Sequence, residues 1–395
     1  MKYLIVFVLL IFAVSAEENH LRQFSDGNVK FSANAYKELS KINSGNFVLC
    51  PMSVEIIFAL VHAGARQSTA EQIAKSLQFP QDTETVQKIF KELSPKFQHN
   101  GFCNVSSANK VYIKKGFKVK QEFKDDAVNV FKSEVQEIDF SKKIAAVNEI
   151  NSWVEEKTYN KIHDLLAEND IDELTRLVLI NAMYFKGHWA QQFNVEDTEK
   201  HNFYLNNKDK IDIYMMEMTK RFNYYESVEL NTKFLDITFL GGEFKMTFIL
   251  PNEKEGLSRI EDHLEEALKE PDYKYEKVHV RIPKFKVEST LKLKPVLQKL
   301  GLVDAFEQKA DFSGINVNPD ERLHIDKVIQ KTFIEVKEEG TTAAAATGIL
   351  FAVGISAIIE PPVQPKQFIA DHPFIFVLRH TNGILFVGRF VSGKE

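Results

Sequence analysis

Glu335 to Pro365 reads EVKEEGTTAAAATGILFAVGISAIIEPPVQP, and two patterns collide inside it. Phe333, Glu335 and Lys337 alternate with Ile334 and Val336, the period of two that marks a half-buried strand. After Glu338-Glu339-Gly340 the alternation stops, and Thr341-Thr342, four alanines, Thr347 and Gly348 follow. Alanine favours helix, yet Gly340 and Gly348 bracket the run too closely for a helix of stable length. Two readings remain: an Ala-rich loop or single helical turn, or a segment exposed in one state and a strand in another. Its side chains are small enough to slide between existing strands.

Working outward, strands dominate the second half of the chain. Leu177–Phe185, Ile211–Met216, Phe234–Phe239, Lys245–Leu250, Lys277–Ile282 and Lys284–Glu288 read as strands, with helical pieces at Leu257–Leu268 and Leu293–Leu300. Phe374–Arg379 and Ile384–Phe390 form a hairpin across His380-Thr381-Asn382-Gly383, because Asn-Gly tolerates positive φ. The first half is mostly helical. Asn28–Lys41, Ser53–Ala63, Thr83–Leu93, Gln121–Phe131 and Ala145–Thr158 carry apolar residues at helical spacing, and Thr69–Leu77 reads as a short helix capped by Ser68 or Thr69. Helices in front and strands behind predict an α+β fold. No Pro-, Gly- or Ser-rich spacer divides the chain, so one large domain is expected.

Residues 1–16, MKYLIVFVLLIFAVSA, combine Lys2, an apolar run from Leu4 to Val14 and a small-residue exit, the pattern of a secretory signal peptide. Cleavage after Ala16 predicts a secreted, extracellular domain over 17–395. Without Lys2 it has 49 basic and 55 acidic residues, a net charge of −6. Such a chain suits neither nucleic acid nor an anionic membrane, and no later apolar run has membrane length. Cys50 and Cys103 could form one disulfide or stay as two buried thiols; a chain this long needs no staple, which favours thiols. Asn104-Val105-Ser106 is a glycosylation sequon close to the strand-like Lys110–Lys114.

Motifs that carry chemistry are missing. There is no Gly-x-Ser-x-Gly elbow, His-Glu-x-x-His, phosphate-binding loop or Cys-x-x-Cys, so no catalytic residue, cofactor or metal is expected. His163, His263, His324 and His372 stand singly. Lys88, Lys91 and Lys96 form at most a solvated face diluted by Glu84 and Glu92, which does not support glycosaminoglycan binding.

A series of motifs, in order along nearly the whole chain, resembles the serpin family. Asn46-Phe47 with Pro51 and Ser53, Gly64-Ala65-Arg66, Ile150-Asn151-Ser152-Trp153-Val154 and Asn181-Ala182-Met183-Tyr184-Phe185-Lys186-Gly187 with Trp189 and Phe193 carry it first. Pro283-Lys284-Phe285, Ala310-Asp311-Phe312-Ser313-Gly314-Ile315, Glu338-Glu339-Gly340-Thr341 and Asp371-His372-Pro373-Phe374 complete it. The resemblance implies three β-sheets, about nine helices and an exposed reactive loop, here about 338–366, that a protease attacks as a substrate.

After cleavage the hinge would enter the large sheet as a new strand, a known use of stored strain. The hinge implied here is Glu339, Gly340, Thr341, Ala343, Ala344, Ala345, Ala346 and Thr347. Its inward positions, Thr341, Ala343, Ala345 and Thr347, are all small and uncharged, which favours an inhibitor over a carrier; Thr342 would point outward. Each new ladder bond contributes about 0.5–1.5 kcal/mol net, so a dozen amount to roughly 10 kcal/mol.

Cys50, Ser53, Asn181 and Gln330 would form the hydrogen-bonded cluster beneath the opening sheet, with Cys50 and Gln330 standing where the family usually has Ser and often His. Gln replaces His as donor and acceptor, whereas Cys bonds weakly. Counting fifteen residues from Gly340, the family's usual spacing, puts the scissile bond at Gly354-Ile355, with Val353, Ala352 and Phe351 before it. No Lys or Arg lies between Lys337 and Lys366, so the partner is expected to be an elastase-like or chymotrypsin-like serine protease. A papain-like cysteine protease is the alternative, and a non-inhibitory binding serpin the reading from another class. The active species is expected to be a monomer.

Overall fold

The computed structural model describes residues 2–97, 103–318, 321–340 and 364–393, with side chains from Asn19 onward. In chain order the elements are α1 (Lys2–Ser40), β1 (Phe47–Leu49), α2 (Pro51–Gly64), α3 (Gln67–Ser76), α4 (Thr83–Leu93), β2 (Cys103–Lys114), α5 (Gln121–Asn129) and β3 (Glu134–Ile138). Then come α6 (Lys143–Lys157), β4 (Leu177–Gly187), β5 (Glu199–Tyr204), β6 (Lys210–Ser227), β7 (Thr232–Thr238), β8 (Phe244–Pro251), α7 (Leu257–Asp262) and α8 (Leu264–Ala267). The chain ends with β9 (Lys274–Pro283), β10 (Phe285–Lys292), α9 (Lys294–Lys299), β11 (Lys327–Val336), β12 (Lys366–Ile369), β13 (Phe374–His380) and β14 (Gly383–Phe390). The α+β expectation holds.

A five-stranded sheet has the order β10-β11-β4-β2-β3, and the other strands join in a nine-stranded network. The expected second and third sheets are continuous there because β6 serves both. Its start, Lys210–Met215, pairs with β5, and its end, Asn223–Ser227, pairs with β7. The expected strand, Ile211–Met216, was therefore only the first third of β6; beyond it, Lys220-Arg221-Phe222-Asn223 dilutes the apolar alternation.

Local chemistry sets most boundaries. Pro51 starts α2, where its missing N–H costs nothing, and α2 is buried on nearly every side, as an all-apolar helix must be. Asp82 caps α4 by accepting from the Thr85 N–H at 2.8 Å. On the same helix Lys88 pairs with Glu84, and Lys96 beyond it with Glu92, in keeping with a solvated face. The cap expected for α3 is a correction. That helix starts at Gln67, and Ser68 Oγ donates instead to Asp304 while Thr69 Oγ1 accepts from the Asp311 N–H. Distant chain outcompetes the local cap.

The main core lies between the two sheets and under α2, and includes Phe58, Phe185, Phe244, Phe376 and Phe386. A second core sits between α6 and the outer face of the five-stranded sheet, with Ile150 and Val154 over Tyr112, Ile180, Tyr184, Ile329 and Phe333. Cys50 and Cys103 are both buried and form no disulfide; burial pushes each thiol up to about 12. Among the described residues no helix is long and apolar enough to cross a membrane.

Candidate functional site: the seam between β4 and β11

Of the smaller sheet's four junctions, β10–β11 and β4–β2 are antiparallel, while β2–β3 at its edge and β11–β4 inside it are parallel. β11 runs alongside β4 from Lys327↔Val178 to Phe333↔Tyr184. Parallel pairing is somewhat weaker per residue than antiparallel pairing. A strand turning back from the top of β11 into this junction would be antiparallel to both neighbours. It would replace one parallel ladder with two antiparallel ones.

The middle of the seam is polar where a sheet interior is ordinarily apolar. Gln330 lies directly across from Asn181, and Asn181 across from Asn109 on β2. Gln330 Nε2 donates to Asn181 Oδ1 at 2.7 Å and to the Cys50 carbonyl at 2.8 Å, while its Oε1 accepts from the Cys50 N–H at 2.9 Å. Ser53 Oγ donates to Asn181 Oδ1 at 2.6 Å, and Asn181 Nδ2 donates to Asn109 Oδ1. Gln330, Asn181, Ser53 and Cys50 are fully buried, so each bond replaces one that water would otherwise make. The structure brings all four expected cluster residues together, but with a different division of labour. Cys50 takes part through its backbone, and its thiol turns away to Met183 Sδ at 3.2 Å. The weak hydrogen bonding of sulfur therefore hardly matters here. Asn109 and Thr332, whose Oγ1 donates to the Val48 carbonyl at 2.8 Å, were missed by sequence reasoning.

At the top of the seam the hinge is stapled shut. Lys337 and Gly340 exchange backbone bonds across a tight turn, at 2.8 and 3.0 Å. The far side is held by the chain after β4. Trp189 N–H donates to the Glu339 carbonyl and Phe193 N–H to the Glu338 carbonyl, both at 2.9 Å. The Trp189 indole donates to the Lys337 carbonyl at 2.9 Å and stacks on Phe239 at 4.2 Å. Gly340 has φ +127°, and a Cβ there would sit 2.2 Å from the Gly187 carbonyl oxygen, so only glycine fits. Glu338 is 4% exposed and pairs with Lys284 at 3.0 Å. Burial raises the Glu338 carboxyl, but a backbone N–H, Lys284 and Thr198 outweigh that and hold it below the ordinary range.

The rest of the expected hinge, Thr341 and Ala343–Thr347, lies outside the described residues, as do Phe351–Val353 and the Gly354-Ile355 bond. The chain reappears at Gln364 and enters β12, which pairs parallel with β9. Asn104 sits in β2 opposite Lys186 and is half-buried. Among the described residues no group of three or more His, Cys, Asp or Glu side chains could hold a metal ion.

A hydrogen-bonded cluster beneath the sheet is what the serpin motifs implied, and comparison with known proteins shows the family. The family model described as serpin (serine protease inhibitor) matches residues 26–393, and the chain belongs to that family. It is 37% identical over 383 residues to Serpin B6 of Macaca fascicularis, covering 93% of this chain and 99% of that protein. With leukocyte elastase inhibitor A of Mus musculus it shares 35% identity, covering 94% and 100%. The crystal structure of Serpin48, a highly specific serpin of the insect Tenebrio molitor, superposes with a TM-score of 0.87 at 38% identity, covering 94% of this chain and 98% of that one. As a serpin, the chain is a protease inhibitor by family and not an enzyme.

Proposed function

We propose that the chain is a secreted, monomeric serpin that traps an elastase-like or chymotrypsin-like serine endopeptidase by cleavage at Gly354-Ile355 and insertion of its loop into the β4–β11 seam. The serine hydroxyl of the protease attacks the Gly354 carbonyl, its proton passing to the protease histidine. The Gly354-Ile355 bond breaks, the Ile355 amine takes that proton, and an ester joins Gly354 to the enzyme. The freed hinge, Gly340 to Thr347, then folds back between β4 and β11 and draws the esterified enzyme with it. Residues 1–16 direct export, after which α1 would begin beyond Ala16, and Asn104 is the glycan acceptor of the exported form.

The observation that carries this reading is the parallel β4–β11 junction directly below the Gly340 turn. It joins a small, uncharged hinge to a site where a strand adds bonds on both sides. Fold alone would not suffice, since human thyroxine-binding globulin complexed with thyroxine superposes with a TM-score of 0.84 at 25% identity. Elastase-like specificity is supported by the apolar bait and by relatives named leukocyte elastase inhibitor.

The test is incubation of the mature protein with pancreatic elastase, chymotrypsin, trypsin and a papain-like cathepsin. It is read by denaturing gel, by residual activity and by the mass of the released peptide. An SDS-stable complex with elastase or chymotrypsin and a peptide beginning at Ile355 is expected. Loop cleavage with full enzyme activity retained everywhere would overturn the inhibitor reading in favour of a binding role, and lasting loss of cathepsin activity alone would move the target to the cysteine class.

A further inference from the structure

The five-stranded sheet ends, on the side away from the hinge, in a pole where four chain segments are laced together. β2 and β3 finish there, and β4 and β11 begin there. Lys114 N–H donates to the Arg176 carbonyl, and Lys114 Nζ to the Glu173 carbonyl at 2.6 Å. The Arg176 guanidinium donates to the Arg322 carbonyl, and the Val317 N–H to the Lys118 carbonyl at 2.8 Å. Lys115 N–H donates to the Ile138 carbonyl, and Lys142 and Lys143 follow at the start of α6.

The segment 114–120 has four lysines and no acid. With Lys142, Lys143, Arg176 and Arg322 it brings eight cations to one end of a chain whose net charge is −5. Bonds to carbonyls leave those charges unneutralised. Several acids nearby are spent: Asp139 accepts from Ser141, Asp172 from Leu174 and Thr175, and Asp326 from the N–H groups of Arg176 and Leu177. Glu122, Glu173 and Glu321 remain in water. Three aliphatic side chains also stand in water here: Ile144 is 60%, Leu174 73% and Val317 55% exposed. Leu174 follows Glu173, whose carbonyl holds Lys114; Val317 is bonded to Lys118, and Ile144 follows Lys143. Lysines alone suit any polyanion. Aliphatic groups among them suit a surface with an apolar interior beneath its charge, because there each gains from burial.

We infer that this pole, marked by Lys118, Lys143, Arg322 and Leu174, is a docking surface for an anionic lipid bilayer. Whole-chain charge argues against such a partner, but a membrane is met by one face at a time, and this face is basic. β11 runs ten residues, roughly 33 Å, from the pole to just below the hinge. A docked molecule therefore holds its loop away from the lipid and open to a protease in the fluid. On the inhibitor reading, the inserting strand descends the same seam. Gly354 lies fourteen residues beyond Gly340, roughly 48 Å of strand, so the trapped enzyme arrives at this pole and displaces the lipid.

The test is flotation of the mature protein with vesicles of phosphatidylcholine, alone or with about 30% phosphatidylserine, at about 50 and about 200 mM salt. It is compared with two double variants of exposed side chains, K118E/K143E and L174S/V317S, whose melting temperatures should stay close to that of the unaltered protein. Binding to the anionic vesicles alone, weaker at the higher salt, is expected. It should fall about 10-fold or more in K118E/K143E and about 3-fold or more in L174S/V317S. Once a complex-forming protease of the panel has been trapped, the complex should leave the vesicles. No binding of the unaltered protein to anionic vesicles, or equal binding by K118E/K143E, would overturn the inference. So would unchanged binding by L174S/V317S, which would leave a basic patch open to any polyanion. Complexes that stay on the vesicles would overturn it too, because the trapped enzyme covers the pole. Absence of any complex would remove the inhibitor reading alone, and the vesicle comparisons would still decide the docking surface.

Discussion

Two strand junctions in this molecule are built on opposite principles. β13 lies between β8 and β14, antiparallel to both, and the interior of that sheet is apolar to the point that Phe374–Leu378 and Ile384–Val387 have no exposed surface. The β4–β11 junction is parallel and is crossed at mid-height by Gln330, Asn181 and Asn109. An apolar interior has nowhere else to go, so separating it costs the whole transfer energy of its side chains. Amides can exchange one partner for another. Parting β4 from β11 breaks the Gln330–Asn181 bond, and because Cys50 and Ser53 belong to the same end of α2, that helix can stay with Gln330 or with Asn181, while Asn181 keeps Asn109. One junction is held by an apolar interior, and the other is the one that the proposed insertion would part.

The largest expected effect lies in the strand that would enter the weak junction. Ala343→Arg puts a charge where the inserted hinge must be buried. An unpaired buried charge costs several kcal/mol, so inhibition should drop by more than about 100-fold while cleavage continues. Stoichiometry of inhibition and the melting temperature of the cleaved product measure it. The unaltered protein should gain at least about 10 °C on cleavage, and the variant should gain almost none. An inhibitory Ala343→Arg would mean that the loop does not insert.

Next comes the durable junction. Phe376 packs 5.2 Å from Phe285, and Gly388 leaves room for its ring, since a Cβ there would lie 2.5 Å from Phe376 Cζ. Phe376→Ala should cost about 3–5 kcal/mol and lower the melting temperature of intact and cleaved protein alike. Gln330→Ala removes three good bonds but strands only the Cys50 backbone groups and part of Asn181, for about 1–3 kcal/mol. That loss should be smaller in the cleaved form, where the Gln330–Asn181 bond is already broken. Equal losses in both forms would erase the contrast between the junctions.

Acid separates them differently. His380 ends β13 between Phe97 and Phe244, and His62 lies at the end of α2 near Phe79. Burial lowers both pKa values to about 4, from about 6.5 in the unfolded chain. Below about 6.5 the unfolded state therefore binds more protons, and stability falls with pH until it levels near 4. Each histidine can account for up to about 3 kcal/mol across that window, and about 1 kcal/mol at pH 5.5. His380→Phe should flatten the fall in melting temperature between pH 6.5 and 4 without changing the value at pH 8 by more than the substitution itself does.

Much of this was legible in the sequence. Strand β4 could be read from Leu177–Phe185 because its residues are apolar on both faces, and the helices α2 and α4 because their spacing and start signals agree. The short β1, β3 and β5 could not be read, because three to six residues hold too few alternations to stand out. The identity of the seam cluster came from resemblance alone. What no pattern reveals is direction: that Cys50 offers its backbone to Gln330 and its thiol to Met183 depends on where α2 crosses the sheet. Likewise Glu55 looks like a solvent-facing break in an apolar helix. It is fully buried, donated to by Asn28 at 2.6 Å, and raised far above the ordinary carboxyl range by desolvation.

The smallest effect concerns the staple above the weak junction. Lys284 comes from the corner between β9 and β10 and meets Glu338 at the base of the hinge, with its own side chain 38% exposed. Solvent screens that half of the pair, so Lys284→Met should cost the intact fold no more than about 1 kcal/mol. The kinetic consequence is more specific than the loss of stability. Glu338 is anchored by its carbonyl to Phe193 and by its carboxylate to Lys284, and both bonds must break before the hinge can enter the seam. Removing one should let the uncleaved loop insert or pair with a neighbouring molecule more often. Slow conversion to inactive monomer or to polymer on mild heating should therefore accelerate several-fold, and Gln330→Ala should add to it. Acid should act in the same direction: the Glu338 carboxyl is depressed in the fold, so its stabilisation is present above the unfolded carboxylate range and is lost as pH falls through the folded value. If Lys284→Met converts no faster than the unaltered protein at neutral pH, the backbone bonds from Trp189 and Phe193 alone keep the hinge closed.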